Sequence, residues 1–414
     1  MSEPKRELKE TKPPKRSGDR VKLVKEFLEE NYEIKINVFD PDKSYIECKI
    51  KDMHRLSPTF NDISLHMETV GIRGCDTILK KIIASPNHVT VFNPIVDYVD
   101  ALKGKWKGES HIDVFCNHIK VREFGDKPEG FYQERLKRLL KKWLAAHIAN
   151  VYGLHPNDAV LSLLHADEGI GKSTLVESLV PPAMKSYYQK SDKDPRYFDI
   201  TKAFASNFIV NFDDNVGLTK SNAESIKSTL SSKEFQLNKF LSQTAPRMAS
   251  GVMTSNKTGE MGGFLLPELG TRRWAIVELD TIDHDYSDKV NIDQLWAEAY
   301  VLFETADFNY KWDMNDFNEF ADFNMRYMTE TNARKLIREF YRVPEAIDTE
   351  ENITWKQPIE ILRELRDARK LTSANGNNVS EVTIGFALKS LNFERSAVRT
   401  ADGPRYGYKI VQLF

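Results

Sequence analysis

The period of the apolar residues changes repeatedly along this chain, and each change marks an element. "VKLVKEFLEENY" spaces its apolar positions as a helix does, whereas "YEIKINVF" and "SYIECKIK" alternate like two strands of a hairpin around "DPDK". After Asn93-Pro94, "NPIVDYVDALKGKW" and "FYQERLKRLLKKWLAAHIANVYG" read as amphipathic helices. Residues 158–280 then alternate short apolar runs with helical ones, the pattern of an α/β unit. "AVLSLLHA", "NFIVNF", "RMASGVMTSN" and "RRWAIVELD" are its strands, and "GKSTLVESLV" is a helix. Residues 290–345 are helical and polar-aromatic ("DQLWAEAYVLFETA", "ARKLIREFYRV"). From about Thr354 the order is helix ("KQPIEILRELRDARK"), helix ("SEVTIGFALKSLNF"), then two strands around "TADGPRYG", as a winged helix requires.

Composition adds limits. The chain has 414 residues, 41% hydrophobic and 29% charged, with a net charge of −2, which is enough for two or three domains and a substantial core. A near-neutral balance argues against a nucleic-acid coat that works by total charge but leaves room for a local basic surface. Its three cysteines, Cys48, Cys75 and Cys116, stand far apart, so neither a disulfide framework nor a zinc site is expected and a reducing cytoplasm fits. No apolar run is long enough for a membrane span, and the charged, Pro-containing opening is not expected to be a secretory signal. Residues 1–20, with seven Lys or Arg, read as a flexible basic tail. The run Arg135, Lys137, Arg138, Lys141 and Lys142 fits either a solvated helix face or a nucleic-acid contact.

The most specific chemistry lies in "HADEGIGKST", His165 to Thr174. A strand entering a glycine-containing turn and then a helix is the setting of a phosphate loop. There, the N–H groups of Gly169, Ile170, Gly171, Lys172, Ser173 and Thr174 can surround the phosphates of ATP, with Lys172 reaching the β- and γ-phosphates and Ser173 holding Mg²⁺. Ala166 stands where the usual pattern has its first glycine. "FIVNFDDN" ends an apolar strand on acids: Asp213 to orient Mg²⁺ and its water, Asp214 to polarise the attacking water. "GVMTSN" ends in Asn256, an amide able to position that water from the other side, and "GTRRWAIVEL" sets Arg272 and Arg273 before a strand. Arginine suits stabilisation of a transferring phosphoryl group, often from a neighbouring subunit, and residue type leaves open which of the two does so.

In this order the residues resemble the superfamily 3 helicases of the AAA+ class. More narrowly, "NPIVDYVDALKGKW", "EGIGKSTL", "TSN" and "LGTRRWAIVEL" resemble the virulence-associated protein E family, helicase-like ATPases of phages, plasmids and mobile elements, over about residues 92–305. In that superfamily, Ala at the loop's first position is ordinary. The family's acidic strand often reads Glu-x-x-Glu. Asn211 takes its first acidic place here, which leaves the base open between Asp213 and Asp214.

The resemblance implies an α/β fold. It divides into a tail (1–20), a small α+β domain (21–91), a helical lead-in (92–157), a P-loop AAA+ core (158–285), a helical region (286–350) and a winged-helix-like domain (351–414). It implies an ATP-dependent DNA helicase or replication initiator, a homo-hexameric ring on single-stranded DNA, with duplex origin DNA and a separate primase as further partners. Residues 21–91 are too short for a primase domain and lack its carboxylate pattern. A hairpin between the acidic strand and "TSN" would line the ring's channel. Lys233, Lys239, Phe240 and Arg247 carry suitable cations and an aromatic body there. Arg399 and Arg405 lie on the winged-helix hairpin, where duplex DNA and protein are both open as partners. Two alternatives remain: a nucleotide-dependent DNA-binding switch, and a P-loop kinase for a small molecule, which leaves Asn256, the arginine pair and the winged helix unexplained.

Overall fold

The computed structural model describes residues 17–39, 45–49, 58–83, 85, 88–191, 198–215, 218–238, 243–329, 331–345, 347–372, 376, 379–400 and 403–414. The chain divides into two compact units, Met1–Asp100 and Ala101–Phe414. The first contains α1 (Ser17–Asn31), β1 (Tyr32–Asn37), β2 (Tyr45–Cys48), α2 (Phe60–Thr69), α3 (Asp76–Ile83) and β3 (Thr90–Phe92), and α4 (Pro94–Ala101) ends one residue beyond it. Helix α1 already begins at Ser17, inside the span expected to be tail. As the alternation predicts, β1 pairs antiparallel with β2; β3 adds a parallel partner on the other side of β1. Thr59 starts α2 with a reciprocal capping box to Asp62. Val24, Phe27, Tyr32, Ile63, Met67 and Leu79 form this unit's core.

The second unit opens with α5 (His111–Asn117), β4 (Ile119–Val121) and the long α6 (Phe131–Val151). Its centre alternates β5 (Val160–Leu164), α7 (Lys172–Ser178), β6 (Tyr188–Lys190), α8 (Ile200–Ser206), β7 (Ile209–Phe212) and α9 (Ala223–Ser231). A hairpin of β8 (Glu234–Asn238) and β9 (Gln243–Pro246) follows, then β10 (Ser250–Ser255), β11 (Trp274–Ile282), α10 (Tyr286–Lys289), α11 (Ile292–Glu304) and α12 (Met314–Phe323). Six strands form one sheet in the order β4-β11-β5-β10-β7-β6, parallel throughout except for β4 at the edge. Such a sheet is covered on both faces, so β5, β7 and β10 are buried along their whole length instead of alternating.

The two covering layers can be read from neighbouring residues of β10. Ser250 Oγ lies 2.8 Å from His147 Nδ1 on α6, while a Cβ on Gly251 would point at Phe204 of α8 (3.3 Å) and Leu230 of α9 (3.7 Å). On the α6 face, His147 sits among Trp143, Phe208 and Trp296. Full burial, with Arg247 as a lesser cause, pushes its imidazole pKa down to about 3, so it is a neutral core residue. On the other face Phe204, Val210, Phe212, Met253 and Trp274 join one large apolar cluster. Each of these large side chains contributes roughly 1.5–3 kcal/mol by leaving water.

The C-terminal part packs α13 (Asn332–Phe340), α14 (Pro358–Asp367) and α15 (Glu381–Ser390) on a small antiparallel sheet. That sheet joins β12 (Tyr341–Arg342), β13 (Ile353–Lys356), β14 (Arg395–Thr400) and β15 (Gly403–Gln412). Its core begins at Ala333, Leu336 and Ile337, upstream of the expected boundary at 351, because α13 shares its apolar face with α14 and α15. Among the described residues no helix is long and apolar enough to cross a membrane.

Candidate functional site

Strand β5 delivers the chain to the carboxyl edge of the sheet, and the turn after it is built from two glycines in left-handed geometry, Gly169 (φ 79°) and Gly171 (φ 95°). A side chain at either position would be strained. The turn places Gly171 as the N-cap of α7 without a capping side chain, so its first amide groups stay available. Lys172 folds back over the loop, its Nζ donating to the carbonyls of His165 (3.2 Å) and Asp167 (2.8 Å). Partial burial lowers its pKa, against the pull of Asp214, Glu168 and Asp167.

Strand β10 lies between β5 and β7, so "TSN" emerges between the glycine turn and the acidic pair. Asp213 Oδ1 accepts from Ser173 Oγ (2.6 Å), Thr254 Oγ1 (2.7 Å) and Asn211 Nδ2 (3.3 Å). Its other oxygen lies 3.5 Å from Lys190 Nζ, which also pairs with Glu177 at 2.6 Å. Burial alone would raise the Asp213 pKa; the two hydroxyls and the ammonium outweigh it and hold the carboxyl below its ordinary range. Asp214 is exposed in the left-handed region (φ 50°, ψ 38°), where short polar residues are best tolerated, and its N–H donates to Thr254 Oγ1 at 3.1 Å. Asn256 Nδ2 donates to Glu168 Oε1 at 3.3 Å.

Ser173 and Asp213 thus stand together as an all-oxygen pair, the donor chemistry Mg²⁺ prefers, and so small a protein contribution suits an ion that keeps several waters and binds phosphate. Among the described residues no cluster of three His, Cys, Asp or Glu offers an all-protein metal cage.

The arginine pair is elsewhere. Arg273 precedes β11, and its carbonyl accepts from Val160 N at the start of β5 (2.8 Å). It therefore stands at the amino edge, the five residues of β5 away from the phosphate loop. At about 3.3 Å per residue that is roughly 16 Å. Arg273 donates to Ser231 Oγ at 3.0 Å, and Arg272 is exposed. Neither meets the glycine turn of its own chain.

The same edge carries the hairpin β8–β9, and here one expectation is corrected. Arg247 is fully buried, its guanidinium donating to the carbonyls of Ala249 (3.0 Å), Asn157 (2.8 Å), Thr229 (3.4 Å) and Leu230, with Phe204 stacked 5.1 Å away. It ties the hairpin's base to the sheet and has no surface to offer DNA. Lys233 is exposed and donates to Leu154 O at 2.9 Å. Lys239 and Phe240 lie outside the described residues. Arg405 is exposed on β15, and Arg399 is paired across from Pro404 on β14.

The basic run on α6 is an ion-pair network. Arg135 meets Glu319 (2.6 Å), Arg138 meets Asp316 (3.3 Å) and Glu319, Lys142 meets Asp316 (2.5 Å), Lys141 meets Asp113 (2.8 Å) and Lys137 meets Glu134 (3.1 Å). Sequence reasoning also passed over Thr254, Glu168 and Lys190. Thr254 carried a signal, since strand alternation puts it on the same side as Asn256, two residues on. Lys190, on a strand 18 residues after Lys172, carried none.

The family model of the virulence-associated protein E-like domain matches residues 101–329, beginning where the second compact unit begins and ending just before α13. Among solved structures, the chain is similar to the apo structure of the NrS-1 C-terminal region (305–718), at 11% identity and a TM-score of 0.44, over 96% of this chain and 100% of that one. The A form apo structure of that region gives 10% identity and a TM-score of 0.43 over 96% and 100%. No curated protein matches the chain. With more than half of its 414 residues matched, the chain belongs to the virulence-associated protein E-like family.

Proposed function

We propose that the chain is an ATP-driven, Mg²⁺-dependent DNA helicase or replication initiator of a mobile genetic element, built on an AAA+ core of the superfamily 3 type. The observation that carries this reading is the convergence of Ser173, Asp213, Thr254 and Asn256 at the carboxyl edge of a parallel sheet, where open α/β sheets bind ligands. When ATP binds, the loop amides around Gly169–Ser173 cradle its phosphates, and Lys172 exchanges two carbonyl partners for phosphate oxygens. Ser173 and Asp213 would hold Mg²⁺, which would offset the charge of the phosphates. Asp214, free of side-chain obligations to the sheet, orients the attacking water, and Asn256 leaves Glu168 to fix it from the other side.

An arginine at the γ-phosphate then has to come from a second copy, because Arg272 and Arg273 sit at the opposite edge of their own sheet. This favours a homo-oligomeric ring, with the hairpin β8–β9 toward single-stranded DNA and the C-terminal winged-helix arrangement toward duplex DNA. It disfavours a small-molecule kinase, which has no need of a second chain. Phosphate release from Mg·ATP, measured beside the size of the particle with and without ATP, tests the reading. Turnover with assembly supports it; turnover by a monomer whose Arg272→Ala and Arg273→Ala variants are fully active contradicts it.

A further inference from the structure

The segment that follows β11 closes over the phosphate loop from the side away from the acidic pair. A Cβ built on Gly171 would overlap Cε1 of His284 and stand 3.3 Å from its Nε2, so the imidazole lies directly against the last glycine before Lys172. His284 is itself exposed. The segment is anchored on both sides of this residue. Asp283 accepts at 2.7 Å from His118 Nδ1, and its backbone N–H donates to His118 O at 2.8 Å. Tyr286 is buried, its ring 5.6 Å from Phe115 of α5. The anchored strap therefore presents an exposed aromatic ring beside the loop, with the Tyr286 ring 6.3 Å behind it.

The order of strands gives the direction. Asp213, Thr254 and Asn256 come from β7 and β10, on one side of β5, and mark where the terminal phosphate and its metal would lie. Strand β11 flanks β5 on the other side. A triphosphate stretched across the loop thus runs toward β11 at its nucleoside end, and His284 is the ring waiting there. Resting on the nucleotide-site reading above, we propose that His284 contacts the nucleoside of the bound triphosphate, packing its imidazole against the base. Every base has a π-face, so this contact sets affinity for a nucleoside and not the choice among bases.

Calorimetric titration of the full chain with Mg·ATP and, separately, with inorganic tripolyphosphate tests this. His284→Ala should weaken ATP binding about tenfold, equivalent to about 1.4 kcal/mol, while tripolyphosphate binds as it does to wild type. His284→Phe, which keeps a flat ring, should restore most of the ATP affinity. Unchanged ATP affinity in His284→Ala, tighter ATP binding, or an equal loss for tripolyphosphate would overturn the proposal while leaving the phosphate loop in place. A wild-type chain that binds neither probe would instead remove the nucleotide reading on which the proposal stands.

Discussion

The two edges of the central sheet use similar residue types for opposite ends. At the carboxyl edge Lys172, Ser173, Asp213 and Asn256 bond one another, the loop's own carbonyls or the carboxylate of Glu168 across a partly exposed cleft. Ligand oxygens and a cation can replace those bonds at little cost, because each partner remains within reach of water. At the amino edge Arg247 is also surrounded by oxygen acceptors, yet it is fully buried and its acceptors are backbone carbonyls. A cation is therefore the proposed ligand-binding group at one edge and an internal brace at the other. Burial and the kind of partner decide which, and residue type does not.

The largest effect should come from the carboxyl edge. Lys172→Ala should lower ATP hydrolysis by at least about a hundredfold, the scale of removing one group aimed at transition-state oxygens. Its melting temperature should stay near that of wild type, which a thermal scan beside the phosphate-release assay checks. At the amino edge the order reverses. Arg247→Met should cost at least about 1–3 kcal/mol of stability, since it takes the guanidinium donor from the buried carbonyls of Asn157 and Leu230, and the drop should appear in denaturant unfolding. An Arg247→Met chain that unfolds like wild type but binds single-stranded DNA tenfold more weakly would move Arg247 back to the DNA surface.

Arg272 and Arg273 sharpen the contrast, because they belong to the amino edge but are proposed to act at a neighbour's carboxyl edge. Arg272→Ala, Arg273→Ala double-variant chains should be inactive alone. Mixing them with Lys172→Ala chains should recover part of the hydrolysis rate, since some interfaces then pair an intact loop with an intact arginine. No recovery at any ratio would argue against shared sites.

Acid should act on the core before it acts on the site. Folded His147 stays neutral down to about pH 3, while the unfolded chain protonates it below its ordinary 6.5. The unfolded state then binds more protons, so stability is full above pH 6.5 and falls as pH drops toward 3, by up to about 1.4 kcal/mol per pH unit. Asp213 has a depressed carboxyl pKa, so its contribution is lost only below its ordinary 3.8. Denaturant midpoints at pH 7, 6, 5 and 4 should show the decline, and His147→Phe should flatten it. The smallest effect is expected on α6. Lys137→Ala and Lys141→Ala should change single-stranded DNA affinity by less than about twofold and leave its salt dependence alone, because both cations already hold carboxylates.

Legibility in the sequence follows the same division. The strand–turn–helix unit proposed to bind phosphate could be read because its pattern is local: strand, two glycines, lysine and helix occupy fifteen residues from Val160 to Thr174. The placement of Asp213 and Asn256 beside that unit could be read because each follows an apolar strand. Lys190 and His284 could not, since they arrive from β6 and from beyond β11 and only the sheet order brings them to the loop. Arg247 was misread because a basic residue beside an expected hairpin looks the same whether it faces a channel or the core. The α6 run was ambiguous for a related reason, as its carboxylate partners Asp316 and Glu319 lie about 180 residues downstream.

The most direct measurement is the rate of Mg·ATP hydrolysis with and without single-stranded DNA at modest salt, in wild type and in Lys172→Ala. The account predicts turnover that single-stranded DNA accelerates several-fold and that Lys172→Ala abolishes. Robust hydrolysis indifferent to DNA, or hydrolysis surviving in Lys172→Ala, would contradict it.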